Sequence, residues 1–296
     1  MRILSLLPSA TEIVYALGLE DHLVGVTHEC DFPAGARAKR VVSVSALPAG
    51  STPAEIDALV SASIGGGEPI YRLDDAAVRE LQPDIVLTQD LCAVCAVPSG
   101  HVNEALSVIG CSADVVSMDP SSLEEVIDCL GAVGSATGTE ERATRLAADL
   151  HGRLDAVRAA VSGAPRARTF ALEWPDPPFN GGHWVPQMIA VAGGEPVLAQ
   201  WGTPSVRVTW EDIAAAGAEV VVSMPCGYGL DQAAALTTPL LERPELRRAD
   251  AVYAVDASSY FSRPGPRLVD GVEVLASVLH PGAVEPRVDG AVRRLR

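Results

Sequence analysis

The chain has 296 residues, a formal charge of −16 and 48% hydrophobic residues, which suits about two cored domains. The acidity excludes a nucleic-acid partner, since no basic stripe exists to neutralise phosphates, and it argues against anionic membrane surfaces. The longest apolar runs are only strand-sized, so no membrane insertion is expected.

Residues 2–7 (RILSLL) read as a first strand. The opening has one Arg, no long apolar stretch, and Glu12 inside it, so it does not read as an export signal. The expected location is cytoplasmic, with mostly reduced cysteines; it becomes periplasmic or extracellular if a signal was removed. A helix is predicted from Pro8 to about Leu17, closed by Gly18, with Ser9 and Glu12 at capping-box spacing. LVGVTH and VVSVS give two more strands, and Thr52-Pro53 opens a helix. VRELQPDIVLTQ reads as a short helix, Pro83 and a strand; HVNEALSVIG and ADVVSM repeat helix and strand.

Residues 121–162 contain no predicted strand. After a Gly-rich break at 134–138, Glu140 to Val161 reads as one amphipathic helix, with Leu146, Leu150, Leu154 and Val157 as its apolar stripe. A second α/β run follows: strands RTFALEW, AEVVVSM and AVYAVD, helices HWVPQMIAVAGG and LVDGVEVLASVLH. Strands alternating with helices imply mainly parallel sheets. The expected fold is α/β, with two Rossmann-like lobes joined by one long backbone helix and a ligand cleft between the lobes. The expected boundaries are an N-terminal lobe at 1–125, a linking helical segment at 126–162 and a C-terminal lobe at 163–296.

Ligands of open α/β sheets bind outside the carboxyl ends of the strands. Four of the six cysteines fall there: Cys30, Cys92, Cys95 and Cys226. Cys92 and Cys95 alone could be a redox pair, a metal pair or packed thiols. With Cys30 and Cys226 they make four thiolates, enough for a zinc site or an iron–sulfur cluster. Cys111 and Cys129 read as core thiols. His28 and Glu29 precede Cys30 at a strand end, where an imidazole could coordinate a metal. Gln89 ends the IVLTQ strand. Aromatics are only 4% of the chain, yet several fall in the loop Glu173 to Trp184. Trp174, Trp184, Tyr228 and Tyr260, with Glu173 and His183, suit a flat macrocycle or another large apolar ligand.

Several segments resemble the class III substrate-binding proteins, the helical-backbone receptors for cobalamin, haem, iron-siderophores and metal ions. Arg2 to Glu12 is similar to that family's first strand and helix, and Leu19 to Val26 to its second strand. Leu81-Gln82-Pro83-Asp84-Ile85-Val86-Leu87 resembles its L-x-P-D strand, and the helix ending Ala192-Gly193-Gly194 the one that opens its second lobe. Tyr260 to Arg267, with Leu279-His280-Pro281, is similar to the C-terminal signature of its cobalamin-binding branch. The resemblance implies a binding protein rather than an enzyme. Its ligand would be cobalamin or a related corrinoid or tetrapyrrole, and an ABC permease would be its partner if it is exported. The alternative is a cytosolic metal- or thiol-dependent enzyme on the same scaffold, using zinc or an iron–sulfur cluster held by the cleft cysteines.

Overall fold

A computed structural model of the chain describes residues 1–48, 50–66, 70–90, 100, 102, 106 and 111–296. The chain divides into two compact units: Met1–Pro120 with Ile127–Ala147, and Ser121–Val126 with Ala148–Arg296. The helices expected to form a separate linking segment are thus shared out between the two.

The first unit is built on a six-stranded sheet in the order β4-β3-β2-β1-β5-β6. Its strands are β1 (Ile3–Ser5), β2 (Leu23–Thr27), β3 (Arg40–Ser45), β4 (Tyr71–Leu73), β5 (Ile85–Thr88) and β6 (Asp114–Ser117). All pairings are parallel except β3 with β4. In a strand successive side chains alternate between faces. Leu4, Leu6, Val42 and Val86 accordingly face one core, with Ala77 and Val78 of helix α3 (Asp75–Leu81) packed on them. Helix α2 (Pro53–Gly66) opens on a reciprocal cap: Thr52 N donates to Glu55 Oε2 at 2.7 Å and Glu55 N to Thr52 Oγ1 at 3.3 Å.

Helix α1 spans Pro8–Ala16. Its start corrects the capping box expected at Ser9 and Glu12. Proline lacks an N–H and its fixed φ suits the first helical position, so the cap falls on Leu7, which supplies no side-chain acceptor. Ser9 lies inside the first turn. At the other end Arg142 Nη1 donates to Leu17 O at 2.8 Å, placing a cation where the helix dipole is negative.

Helix α4 (Leu123–Thr137) leads to α5 (Glu140–Ala160), whose 21 residues make a rod of about 30 Å. Leu150, Leu154 and Val157 are buried as the stripe predicts, and Leu146 is half-buried. Within the second unit Arg153 of α5 pairs with Asp270 and, at 2.9 Å, with Glu273 of helix α10 (Leu268–Leu279). All three side chains are largely buried.

The second sheet runs β12-β11-β10-β7-β8, with β9 beside β7. Its parallel centre is β7 (Arg168–Pro175), β10 (Val220–Ser223) and β11 (Ala251–Val255). Phe170, Leu172, Val221 and Val252 form the core of one face. The segment expected as an aromatic loop is a hairpin: β7 runs on to Pro175 and returns antiparallel as β8 (Pro178–Asn180). Strand β9 (Glu195–Pro196) and helices α6 (Val185–Val191), α7 (Trp210–Ala215), α8 (Leu230–Thr237) and α9 (Ala257–Tyr260) complete the unit. Strand β12 (Val292–Arg294) pairs antiparallel with β11 and covers its outer edge. Among the described residues no helix is long and apolar enough to cross a membrane.

Candidate functional site

Chemically distinctive side chains gather at the carboxyl edge of each sheet. In the first unit β2 ends in Thr27 and delivers His28, Glu29 and Cys30. Thr27 Oγ1 lies 3.3 Å from His28 Nδ1, and the exposed imidazole sits 5.9 Å from the Tyr71 ring. The Tyr71 hydroxyl donates to Glu29 Oε1 at 3.4 Å. Tyr71 belongs to the three-residue strand β4, which has no hydrophobic run to announce it.

Cys30 is buried. Thr11 Oγ1 lies 3.0 Å from its Sγ and 2.8 Å from Ser5 Oγ, which in turn donates to Leu7 O at 2.9 Å. The thiol is therefore tied into a hydroxyl network beneath α1. Gln89, one residue past β5, is buried as well, and its Oε1 has no hydrogen-bond partner among the described residues.

Cys92 and Cys95 lie outside the described residues. Among the described residues no three His, Cys, Asp or Glu side chains converge as a metal site requires. Two of the four thiols expected for a zinc or iron–sulfur site are thus not described, and of the other two Cys30 meets the Thr11 hydroxyl.

The second edge is denser. Glu173, on β7, accepts from Ser205 Oγ at 2.6 Å on one oxygen and from Gly182 N at 3.0 Å on the other. Burial pushes this carboxyl above its ordinary value, and the two hydrogen bonds pull partly the other way. Gly182 is a close-approach glycine: a Cβ there would sit 2.2 Å from Ser205 N. His183 follows with φ of +50°, a left-handed conformation that histidine adopts more readily than most residues. Its N–H donates to Thr203 O at 2.6 Å, and its carbonyl accepts from Gly202 N at 3.2 Å. Its Nε2 has no partner among the described residues, and burial holds the imidazole below its ordinary pKa. The strap 202–206 is thus laced to 180–183 from both sides. Asn180 completes the lacing, giving Nδ2 to Leu198 O and taking Val206 N on Oδ1.

Trp174 and Tyr228 stand with ring centroids 5.9 Å apart. Cys226 N donates to Glu173 O at 3.1 Å, which locks the β10 end to the β7 end. Gly227, at φ +81°, turns the chain between Cys226 and Tyr228 as few other residues can. Burial, and then the charge of Cys226, push the Tyr228 hydroxyl up. Tyr260 ends α9, with the Arg267 guanidinium 5.6 Å from its ring centre. Trp184 is a core residue: it is buried and its Nε1 donates to Phe261 O at 2.8 Å. Its burial and that bond take Trp184 out of the aromatic set expected to face a ligand.

Of the expected site residues, the structure gathers Glu173, Trp174, His183, Tyr228, Cys226 and Tyr260 at the second edge. His28, Glu29, Cys30 and Gln89 lie at the first. Sequence reasoning missed Tyr71, Thr11 and Ser205. Ser205 had one usable signal, since it lies in the Pro- and Gly-containing segment that follows exposed Trp201.

A two-unit α/β chain with such strand ends defines a binding-protein class, and comparison with known proteins agrees. The family model described as periplasmic binding protein matches residues 3–255. The vitamin B12-binding protein of Vibrio cholerae is 24% identical over 282 residues, covering 94% of this chain and 88% of that protein. An uncharacterized ABC transporter substrate-binding lipoprotein of Bacillus subtilis is 27% identical over 286 residues, covering 95% and 80%. The crystal structure of a periplasmic haem-binding protein from Pseudomonas aeruginosa superposes with a TM-score of 0.71 at 22% identity, covering 99% and 97%.

The chain belongs to the periplasmic binding protein family. It is a ligand receptor of that type, and its resemblance to the class III receptors holds.

Proposed function

We propose that this chain captures a corrinoid, or a related tetrapyrrole such as haem, and hands it to an ABC permease. The observation that carries this reading is the second sheet's carboxyl edge. There Trp174 and Tyr228 offer two ring faces in a chain poor in aromatics, beside a carboxyl that burial biases toward its neutral form and an imidazole biased the same way. Flat apolar rings are held by such aromatic faces, while a few polar groups fix orientation. The Vibrio cholerae relative named for vitamin B12 supports the corrinoid. The Pseudomonas aeruginosa structure named for haem supports the broader macrocycle class.

Titration with cyanocobalamin and with haemin, followed by macrocycle absorption and tryptophan fluorescence, tests the reading. Saturable binding of either at micromolar ligand or below is expected; no binding of either overturns it. Delivery to an importer places the chain outside the cytoplasm. A cytoplasmic chain would instead pass its ligand to an acceptor there, and cell fractionation distinguishes the two. The enzyme alternative finds no support among the relatives, which are named as binding proteins.

A further inference from the structure

We propose that a β-bulge at Glu173 turns Trp174 out of the second unit's core to face the ligand, and that Ser205 is a positioning residue that holds the bulge. This deepens the receptor reading and rests on it. Along the β7–β8 hairpin, Leu172 pairs with Asn180 and Trp174 with Phe179, so β7 advances two residues while β8 advances one. Glu173 is the extra residue. Side chains of a strand alternate between its faces. Phe170 and Leu172 lie in the core of one face, and unbroken alternation would send Trp174 in after them. The extra residue breaks that order. Trp174 is instead half-buried, with its ring 5.9 Å from that of Tyr228. Bulges re-aim side chains in this way and are common beside functional sites.

A bulged residue drops out of the ladder with its partner strand, so other bonds must fix it. Glu173 has three. Its carbonyl accepts from Cys226 N at 3.1 Å, Oε2 accepts from Gly182 N at 3.0 Å, and Oε1 accepts from Ser205 Oγ at 2.6 Å. The first two donors are main-chain groups. Ser205 alone gives a side-chain donor, and it comes from the strap rather than from the sheet. The strap is itself anchored at the next residue: Val206 N donates to Asn180 Oδ1 at 2.7 Å, and Val206 O accepts from Asn180 N at 3.1 Å.

The same residue reaches the second ring. Cys226, bonded to the Glu173 carbonyl, stands two residues before Tyr228, whose own carbonyl accepts from Ser258 N at 3.0 Å. Without the Ser205 hydroxyl, Glu173 Oε1 loses its donor, the side chain must find another, and the bulge loosens. The rings would then be ordered only on binding. Ordering them in advance cuts the entropic cost of association, so its loss lowers affinity although no ligand contact is removed.

The test is a double-mutant cycle of Ser205→Ala and Trp174→Ala, titrated with cyanocobalamin and with haemin. Ser205→Ala is expected to weaken whichever macrocycle binds by about tenfold, and the loss should shrink to about twofold or less in the Trp174→Ala background, since coupled residues are not additive. The same four proteins give a readout without ligand. The contribution of Trp174 to the near-ultraviolet circular dichroism, taken as the difference between each protein and its Trp174→Ala counterpart, should change on Ser205→Ala. Equal affinity losses in both backgrounds overturn the proposal, because Ser205 then acts independently of the ring. Unchanged affinity, with or without a lower melting temperature, overturns it too, and so does an unchanged Trp174 contribution. If wild type binds neither macrocycle, the receptor reading falls on its own and the bulge is judged by the dichroism: a changed Trp174 contribution upholds Ser205 as the residue that positions it, and an unchanged one overturns that role.

Discussion

The two carboxyl edges solve different problems with the same architecture. The second edge buries titratable groups: Glu173 and His183 sit within one laced segment, each biased toward its neutral form by desolvation. Beneath α1 the first edge buries hydroxyls and a thiol, Ser5, Thr11 and Cys30, linked in a chain. The laced segment of the second edge is expected to respond to pH, and the hydroxyl network beneath α1 is not. Burial alone does not make a site sensitive to pH; what matters is whether the buried polar group can take or lose a proton in the working range.

The largest effect expected comes from Gly182→Ala. The added Cβ would meet the Ser205 backbone, and the strap must shift, at a cost of about 3 kcal/mol. Chemical denaturation measures it, and an unchanged midpoint would show that the lacing is not tight. Next, Trp174→Ala should weaken the macrocycle by about 2 kcal/mol, read by titration, with the fold's circular dichroism intact. Thr11→Val keeps volume but leaves Ser5 and Cys30 without their shared partner, costing about 1–2 kcal/mol. That loss should be the same at acid and neutral pH, which is the first edge's half of the contrast.

The smallest effects carry the pH signature. A carboxyl raised in the folded state stabilises below its ordinary pKa of 4.5, and that contribution is lost as pH rises toward the folded value. Glu173→Gln, whose one oxygen still accepts from Gly182 N while its NH2 donates to Ser205 Oγ, should therefore melt higher than wild type at neutral pH and converge with it in acid. Identical melting curves at neutral pH would mean that Glu173 ionises there without penalty. An imidazole lowered in the folded state loses stability as pH falls below its ordinary 6.5. His183→Asn, which tolerates the same left-handed backbone, should flatten that acid-side loss.

The parallel strands and the long helix were legible because each carries its own period: apolar runs bounded by turns for β5, β10 and β11, and a stripe three and four residues apart for α5. Strand β4 was not, since Tyr71, Arg72 and Leu73 are too few to show alternation. The α1 cap was misread because capping-box spacing at Ser9 and Glu12 competes with Pro8, and proline's fixed φ wins. At the site, aromatic scarcity pointed to Trp174 and Tyr228. The partners of Glu173 and Cys30 stayed hidden. Ser205 lies 32 residues from Glu173 and Thr11 lies 19 from Cys30, and no local pattern marks a hydrogen bond made across that separation.

The short strand β12 has a bearing on handling the protein. It occupies the hydrogen-bonding flank of β11, and Arg296 Nη2 reaches back to Leu246 O and, at 2.8 Å, to Ala249 O. Trimming residues 291–296 would bare the flank of β11, a row of main-chain groups open to pairing with another copy. Preparations cut there should gather into oligomers through strand addition, while a tag added beyond Arg296 leaves the guard strand in place.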